Sequence, residues 1–153
     1  MNPETRIAEL GLVLPQPPAA AGSYVPSVRT GNLLYCAGTL PMADGKLTHT
    51  GQVGKEQTVQ TGAKAAEACA LNTLANVKAA LGSLDRVARI VFVSGFVNAV
   101  DGFAESPAVI NGASDLFVKV FGDAGRPARS AVGMGSLPGD ISVEVEAVVL
   151  LKD

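Results

Sequence analysis

Apolar and polar positions along this chain change their period several times, and each change marks an element. Val143 to Leu151 alternates over Val-Glu-Val-Glu-Ala and then turns fully apolar. That is the pattern of a strand buried on one face along its length. Period two places Glu144 and Glu146 on the same face. Ahead of it, Ser130 to Met134 is short and mostly small or apolar. Ser136-Leu-Pro-Gly-Asp140 carries turn chemistry: Pro138 presets φ and Gly139 accepts a positive one. Arg126 to Glu146 therefore reads as a β-hairpin that can bring Arg129 together with one or both glutamates.

The remaining elements follow from the same patterns. Residues 5–13 predict a short helix, with Ile7, Leu10 and Val13 spaced by three. Leu14 to Gly22 is proline-rich and extended. Tyr24 to Arg29 and Leu33 to Ala37 predict two strands joined by a tight turn at Thr30-Gly-Asn32. Gly38 to Gly54 is a polar excursion with a reversal at Asp44-Gly45 and one short strand at Lys46-Leu47. Glu56 to Leu81 is the clearest helix: Val59, Ala63, Ala66, Ala70, Leu74, Val77 and Leu81 follow the three-four rhythm, and Gly82 ends it. Val87 to Val97 is β-branched and too apolar for a sheet edge. Ala108 to Phe121 is a second long helix with Ile110, Ala113, Leu116 or Phe117, and Val120 or Phe121 inward. The order β-β-α-β-α-β-β predicts an α+β fold, one mixed sheet with both long helices on one face. The whole chain, residues 1–153, reads as one domain with residues 1–20 as an N-terminal extension.

Composition adds a constraint. Apolar residues make up 48% of the 153 residues and charged residues 17%, with a mean hydropathy of +0.31. No segment reads as a transmembrane helix or a signal peptide, so the expected location is cytoplasmic and the apolar surplus points to an oligomer interface. The net charge of −2 and the lack of a basic cluster argue against nucleic acid as a partner. One histidine, His49, makes a histidine-rich metal site or a Ser-His-Asp triad improbable. His49 is expected to face solvent. Cys36 and Cys69 are expected as free thiols, Cys36 as a small buried hydrophobe.

Several motifs now line up. Gly22-Ser-Tyr24 precedes Gly31-Asn-Leu-Leu-Tyr-Cys-Ala-Gly-Thr-Leu-Pro41. Asn111 lies on the second helix. Pro127-Ala-Arg-Ser130, Leu137-Pro138 and Val143-Glu-Val-Glu-Ala147 follow. From about Ala20 to Leu151 this series resembles the YjgF/RidA family, also labelled endoribonuclease L-PSP. The resemblance implies a chorismate-mutase-like fold, a homotrimer with a central barrel, and a cleft at each subunit interface. It implies hydrolysis of 2-enamine and 2-imine acids to 2-oxo acids and ammonia, with no metal or other cofactor. Arg129 would clamp the carboxylate of this small-molecule substrate, and Glu144 would hold the attacking water. Tyr24, Ala37, Gly38, Asn111 and Ala131 would line the substrate site. Two positions depart from the family pattern: Ala131 replaces a frequent cysteine and Ala37 a hydroxyl residue. Gly133 and Gly135 stand where bulkier residues are usual, which could widen the pocket or permit a bulge.

The chemistry suits these residue types. An arginine fork matches a carboxylate with two parallel hydrogen bonds. A carboxylate can orient water and relay a proton. Two other readings remain open at this level. Arg129 could form a structural ion pair with Glu144 or Glu146. The trimer could bind small carboxylates without turning them over. An endoribonuclease ranks below both, for want of a basic track and acid-base residues.

Overall fold

The computed structural model describes residues 2–153. Helix α1 (Pro3–Glu9) opens the chain and is capped by Asn2, whose side chain accepts from the Thr5 amide. A five-stranded sheet follows in the order β1-β2-β7-β5-β6. Its strands are β1 (Ser27–Thr30), β2 (Leu33–Thr39), β5 (Val87–Asn98), β6 (Ala128–Met134) and β7 (Val143–Leu151). A separate two-stranded ribbon, β3 (Met42–Ala43) and β4 (Lys46–Leu47), turns at Asp44-Gly45. Both turn residues have positive φ, 52° and 74°, which suits a tight hairpin. The expected strand at Lys46-Leu47 is there, with Met42-Ala43 as its partner.

Helices α2 (Val59–Leu81) and α3 (Ser106–Phe121) cover one face of the sheet. α2 begins later than the pattern predicts because Thr58 caps it, closing a reciprocal box with Thr61. Gly82 takes the left-handed conformation that ends it. α3 buries Val109, Ile110, Ala113, Leu116, Phe117 and Val120. The chorismate-mutase-like α+β architecture, one mixed sheet under two long helices, is the expected one.

The expected pairing of the last two strands fails. Ala128–Met134 and Val143–Leu151 do not form a hairpin. β6 pairs in parallel with β5 and β7 pairs antiparallel with both β2 and β5, so β5 lies between them. The physical reason is the crossover β5-α3-β6. A helix that returns the chain over the sheet delivers the next strand parallel to the first. The chain then passes β5 and enters β7 on its far side. Sequence adjacency and a turn-forming link suggested a partner that β5 had already taken.

Tyr24 also lies outside the first strand, in the bend that precedes Ser27. β6 keeps a regular register through Gly133 to Met134, so Gly133 creates no bulge, and Gly135 lies beyond the strand. Cys36 and Cys69 are free and buried, and burial pushes the Cys36 thiol up to about 12. His49 lies in the polar excursion, as expected, but is only partly exposed. It is half-buried, its Nδ1 lies 2.8 Å from the Thr48 hydroxyl, and burial lowers its pKa.

Glycine sets how closely the layers meet. A Cβ on Gly95 would stand 2.5 Å from Ile110 of α3. A Cβ on Gly112 would run into the carbonyl of Ala63 on α2. That second contact is with backbone, which cannot rotate away. Gly112→Ala should therefore destabilise the fold by about 2–3 kcal/mol, read as a lower urea midpoint. An unchanged midpoint would show that the two helices separate at no cost.

Candidate active site

The sheet's parity decides where the charged residues point. Val93, Gly95 and Val97 of β5 face the helices, and Arg129 and Ala131 pair with Val93 and Gly95. Arg129 therefore leans towards α3. Its guanidinium donates to Asn111 Oδ1 at 2.7 Å, to Ser114 Oγ at 3.1 Å and to the Pro107 carbonyl at 3.4 Å. Asn111 and Ser114 sit three apart on α3 and so share a face. Among the described residues, no carboxylate forms a salt bridge with Arg129. The cation is held only by neutral acceptors. Ala131 packs its methyl against the core.

Glu144 and Glu146 stand opposite Phe96 and Ser94, on the other face of the sheet. Their shared face is as expected, but Arg129 is not on it. Two strand spacings of ~4.8 Å and three residues of ~3.3 Å rise put the two backbones roughly 14 Å apart. The structural Arg–Glu ion pair is thus absent within the chain, and so is a ready-made dyad.

Glu144 has a different neighbour. β2 shifts register between Cys36 and Thr39, which takes Ala37 and Gly38 out of regular pairing with β7. The Glu144 carboxylate lies over Gly38, where any Cβ would collide with Oε1. A side chain there would push the carboxylate out of this position. Half-burial raises the Glu144 pKa, and repulsion from Glu146 adds to the shift.

Ala37, Gly38 and Tyr24 also line a cavity of about 670 Å³. Its other walls are the proline-rich arm and Met42 to Gly45, with Asn72 and Asn76 of α2 behind. The Tyr24 hydroxyl accepts from the Ala21 amide at 3.2 Å, tying the arm to the cavity rim. Arg129 and Asn111 are not among its lining residues. The expected site is therefore in two parts. Tyr24, Ala37, Gly38 and Glu144 gather at the β2 side. Arg129, Asn111 and Ala131 gather at the β6 edge, with β7 and β5 between the two groups.

The sequence reading missed Ser114, Asn72 and Asn76. Ser114 was detectable from its helical spacing to Asn111. Asn72 and Asn76 are an i, i+4 pair of carboxamides in an otherwise apolar helix, a signal in itself. Among the described residues, no group of three metal-ligating side chains converges.

The fold and these motifs agree with known proteins. A family model described as "YjgF/chorismate_mutase-like, putative endoribonuclease" matches residues 4–144. This chain belongs to that family. Protein TCP17 of Trypanosoma cruzi is 46% identical over 148 residues, covering 96% of this chain and 92% of TCP17. The 2-iminobutanoate/2-iminopropanoate deaminase of Escherichia coli K12 is 31% identical, covering 88% of this chain and 92% of the deaminase. A crystal structure from Shewanella oneidensis, titled as a putative endoribonuclease, superposes with a TM-score of 0.95 at 35% identity. It covers 99% of this chain and all of that one. No helix of the described residues is long and apolar enough to cross a membrane.

The raised Glu144 pKa has a consequence for stability. The unfolded carboxyl titrates near the ordinary value of 4.5, while the folded one holds its proton to a higher pH. As pH rises from the unfolded pKa through the folded one, deprotonation weakens the fold. Below both values the carboxyl is protonated in either state and the penalty disappears. Glu144→Gln should therefore melt at or above wild type near neutral pH and match it in acid below the unfolded pKa. A sharp drop in melting temperature at neutral pH would show instead that the ionised carboxylate holds the fold together.

Proposed function

We propose that this chain hydrolyses 2-imino and 2-enamino acids to 2-oxo acids and ammonia, at a site completed by a second copy of itself. The observation that carries the reading is Arg129. It is a partly shielded guanidinium at a sheet edge, oriented by Asn111 and Ser114 and left without a carboxylate partner. Such a fork is prepared for an incoming carboxylate. The likeness to a protein named as an imine deaminase supports the same chemistry.

The two half-sites call for assembly. The outer face of the sheet exposes Val28, Tyr35, Phe92, Val132 and Met134. A patch of this kind is suited to burial against copies of the same chain. In a cyclic homotrimer the β6 edge of one copy meets the β1–β2 side of the next. Arg129 and Asn111 from one copy then face Tyr24, Gly38 and Glu144 from its neighbour.

In the reaction, Arg129 holds the substrate carboxylate, and Glu144 accepts a proton from water as its oxygen bonds to the imine carbon. That proton passes to nitrogen, which gives a carbinolamine. Glu144 then takes the proton of the new hydroxyl and returns it to nitrogen, so that the carbon–nitrogen bond breaks and ammonia leaves as the carbonyl forms. A raised carboxyl pKa brings the group closer to working pH, where it can accept and return the proton. The substrate is already electrophilic, so positioning supplies most of the rate. A carboxylate-binding trimer without turnover would use the same Arg129 clamp but would leave Glu144 idle. The ribonuclease in the family description lacks support here, because the net charge is negative and the single histidine is engaged with Thr48.

Arg129→Ala should lower kcat/KM for imine hydrolysis by about thirty- to a thousandfold, the loss of a charge-assisted contact of roughly 2–4 kcal/mol. Arg129→Lys should recover only part of it. Both variants should sediment as trimers with a melting temperature close to wild type. Glu144→Gln should still bind 2-oxo acids and lose turnover. Wild-type rates in Arg129→Ala, or a wild-type protein that sediments as a 15.5 kDa monomer, would overturn the proposal.

A further inference from the structure

The cavity beside Gly38 is far larger than a three-carbon acid requires. Its volume of about 670 Å³ falls in the range of pockets that hold drug-sized ligands, roughly 300–1,000 Å³. It is lined by Tyr24, Ala37 and Gly38 together with the arm and α2; Glu144 is not a lining residue, but its carboxylate lies against Gly38. The arm presents prolines and alanines, an apolar wall stiffened by fixed φ. α1 anchors the start of this arm. The Glu4 carboxylate accepts from Lys78 Nζ at 2.8 Å and from the Leu84 amide at 2.9 Å.

Two carboxamides of α2 line it, and they differ. Asn72 donates to the carbonyls of Leu40, Met42 and Ala68, so it braces the cavity wall. Asn76 is 5% exposed and its Oδ1 has no hydrogen-bond partner. A buried polar atom left unpaired is uncommon and calls for a cause. Among the described residues, Asp44 is the one charged residue on the cavity wall, which disfavours an acidic guest.

We infer that this chamber receives the substrate's side chain, and that the chain acts on 2-imino acids whose side chains are long and uncharged. An aliphatic stem lies against the arm, and a terminal hydrogen-bonding group meets the Asn76 carboxamide. The inference rests on the imine-hydrolase reading above and adds to it the class of substrate.

The test uses imines made in place by D-amino-acid oxidase from D-alanine, D-norleucine and D-6-hydroxynorleucine. The readout is how fast the protein outcompetes semicarbazide for each imine. The norleucine imine should show a kcat/KM at least about tenfold above the alanine imine, the order expected from burying several methylenes. Ala20→Trp, which fills the chamber from the arm, should abolish that ratio. Should that variant fail to fold, Ala43→Trp fills it from the opposite wall. The hydroxylated imine should gain about threefold over the norleucine imine, and Asn76→Leu should erase this gain. Equal kcat/KM for the short and long imines, or a ratio that the filling variants leave intact, overturns the chamber's role. A hydroxyl preference that survives Asn76→Leu overturns the role of Asn76.

If no imine is hydrolysed, the proposed function fails, and the chamber is judged by binding alone. Calorimetry should then still show 2-oxohexanoate bound at least about tenfold more tightly than pyruvate by wild type, with the difference lost in Ala20→Trp. Equal affinities would sink the chamber as well.

Discussion

The central position of β5 is the constraint on which the other arrangements depend. This strand hydrogen-bonds β7 on one side and β6 on the other. Its Gly95 lets α3 settle against the sheet through Ile110, and Gly112 lets α3 meet the backbone of α2 at Ala63. The close helix–sheet and helix–helix distances are possible because neither glycine has a side chain. They fix α3 over the β5–β6 half of the sheet, and so fix the surface to which Arg129 can bind.

From that placement the charges sort themselves. Arg129 inherits the inward parity of Val93 and is steadied by Asn111 and Ser114. Glu144 takes the outward parity of Phe96 and finds its space over Gly38. A buried Arg–Glu pair would neutralise both groups and leave neither for a ligand. Keeping them apart leaves one cation oriented without a counterion and one carboxyl with a raised pKa. Neither group is neutralised by the other within the chain, and that separation is the physical basis of the shared-site proposal.

The N-terminal arm gives the β2 side its own character. Its prolines hold an extended path across α2, while α1 is tied down through Glu4 and Tyr24 braces the other end. The arm thereby forms one wall of the cavity beside Gly38. The arm and the Gly38–Glu144 contact thus both lie on the β2 side of the sheet but are built from separate segments of the chain.

Much of this was legible in the chain itself. The periods of Glu56 to Leu81 and Ala108 to Phe121 identified both helices and part of their buried faces, missing Ala65, Cys69 and Thr73 of α2 and Val109 of α3, and the alternation after Val143 placed both glutamates on one face. These are local properties, set by a repeat of 3.6 or 2 along a single segment. The motifs around Tyr24, Gly38, Arg129 and Glu144 were enough to point to the family. Strand partnership was not legible. The backbone edge of β7 offers the same donors and acceptors to β5 as to β6, so only the packing of α3 over the sheet decides which strand lies between them. The placement of Arg129 and Glu144 on opposite faces and the chamber beneath the arm follow from that packing. They depend on contacts between residues far apart in the chain, which no local pattern encodes.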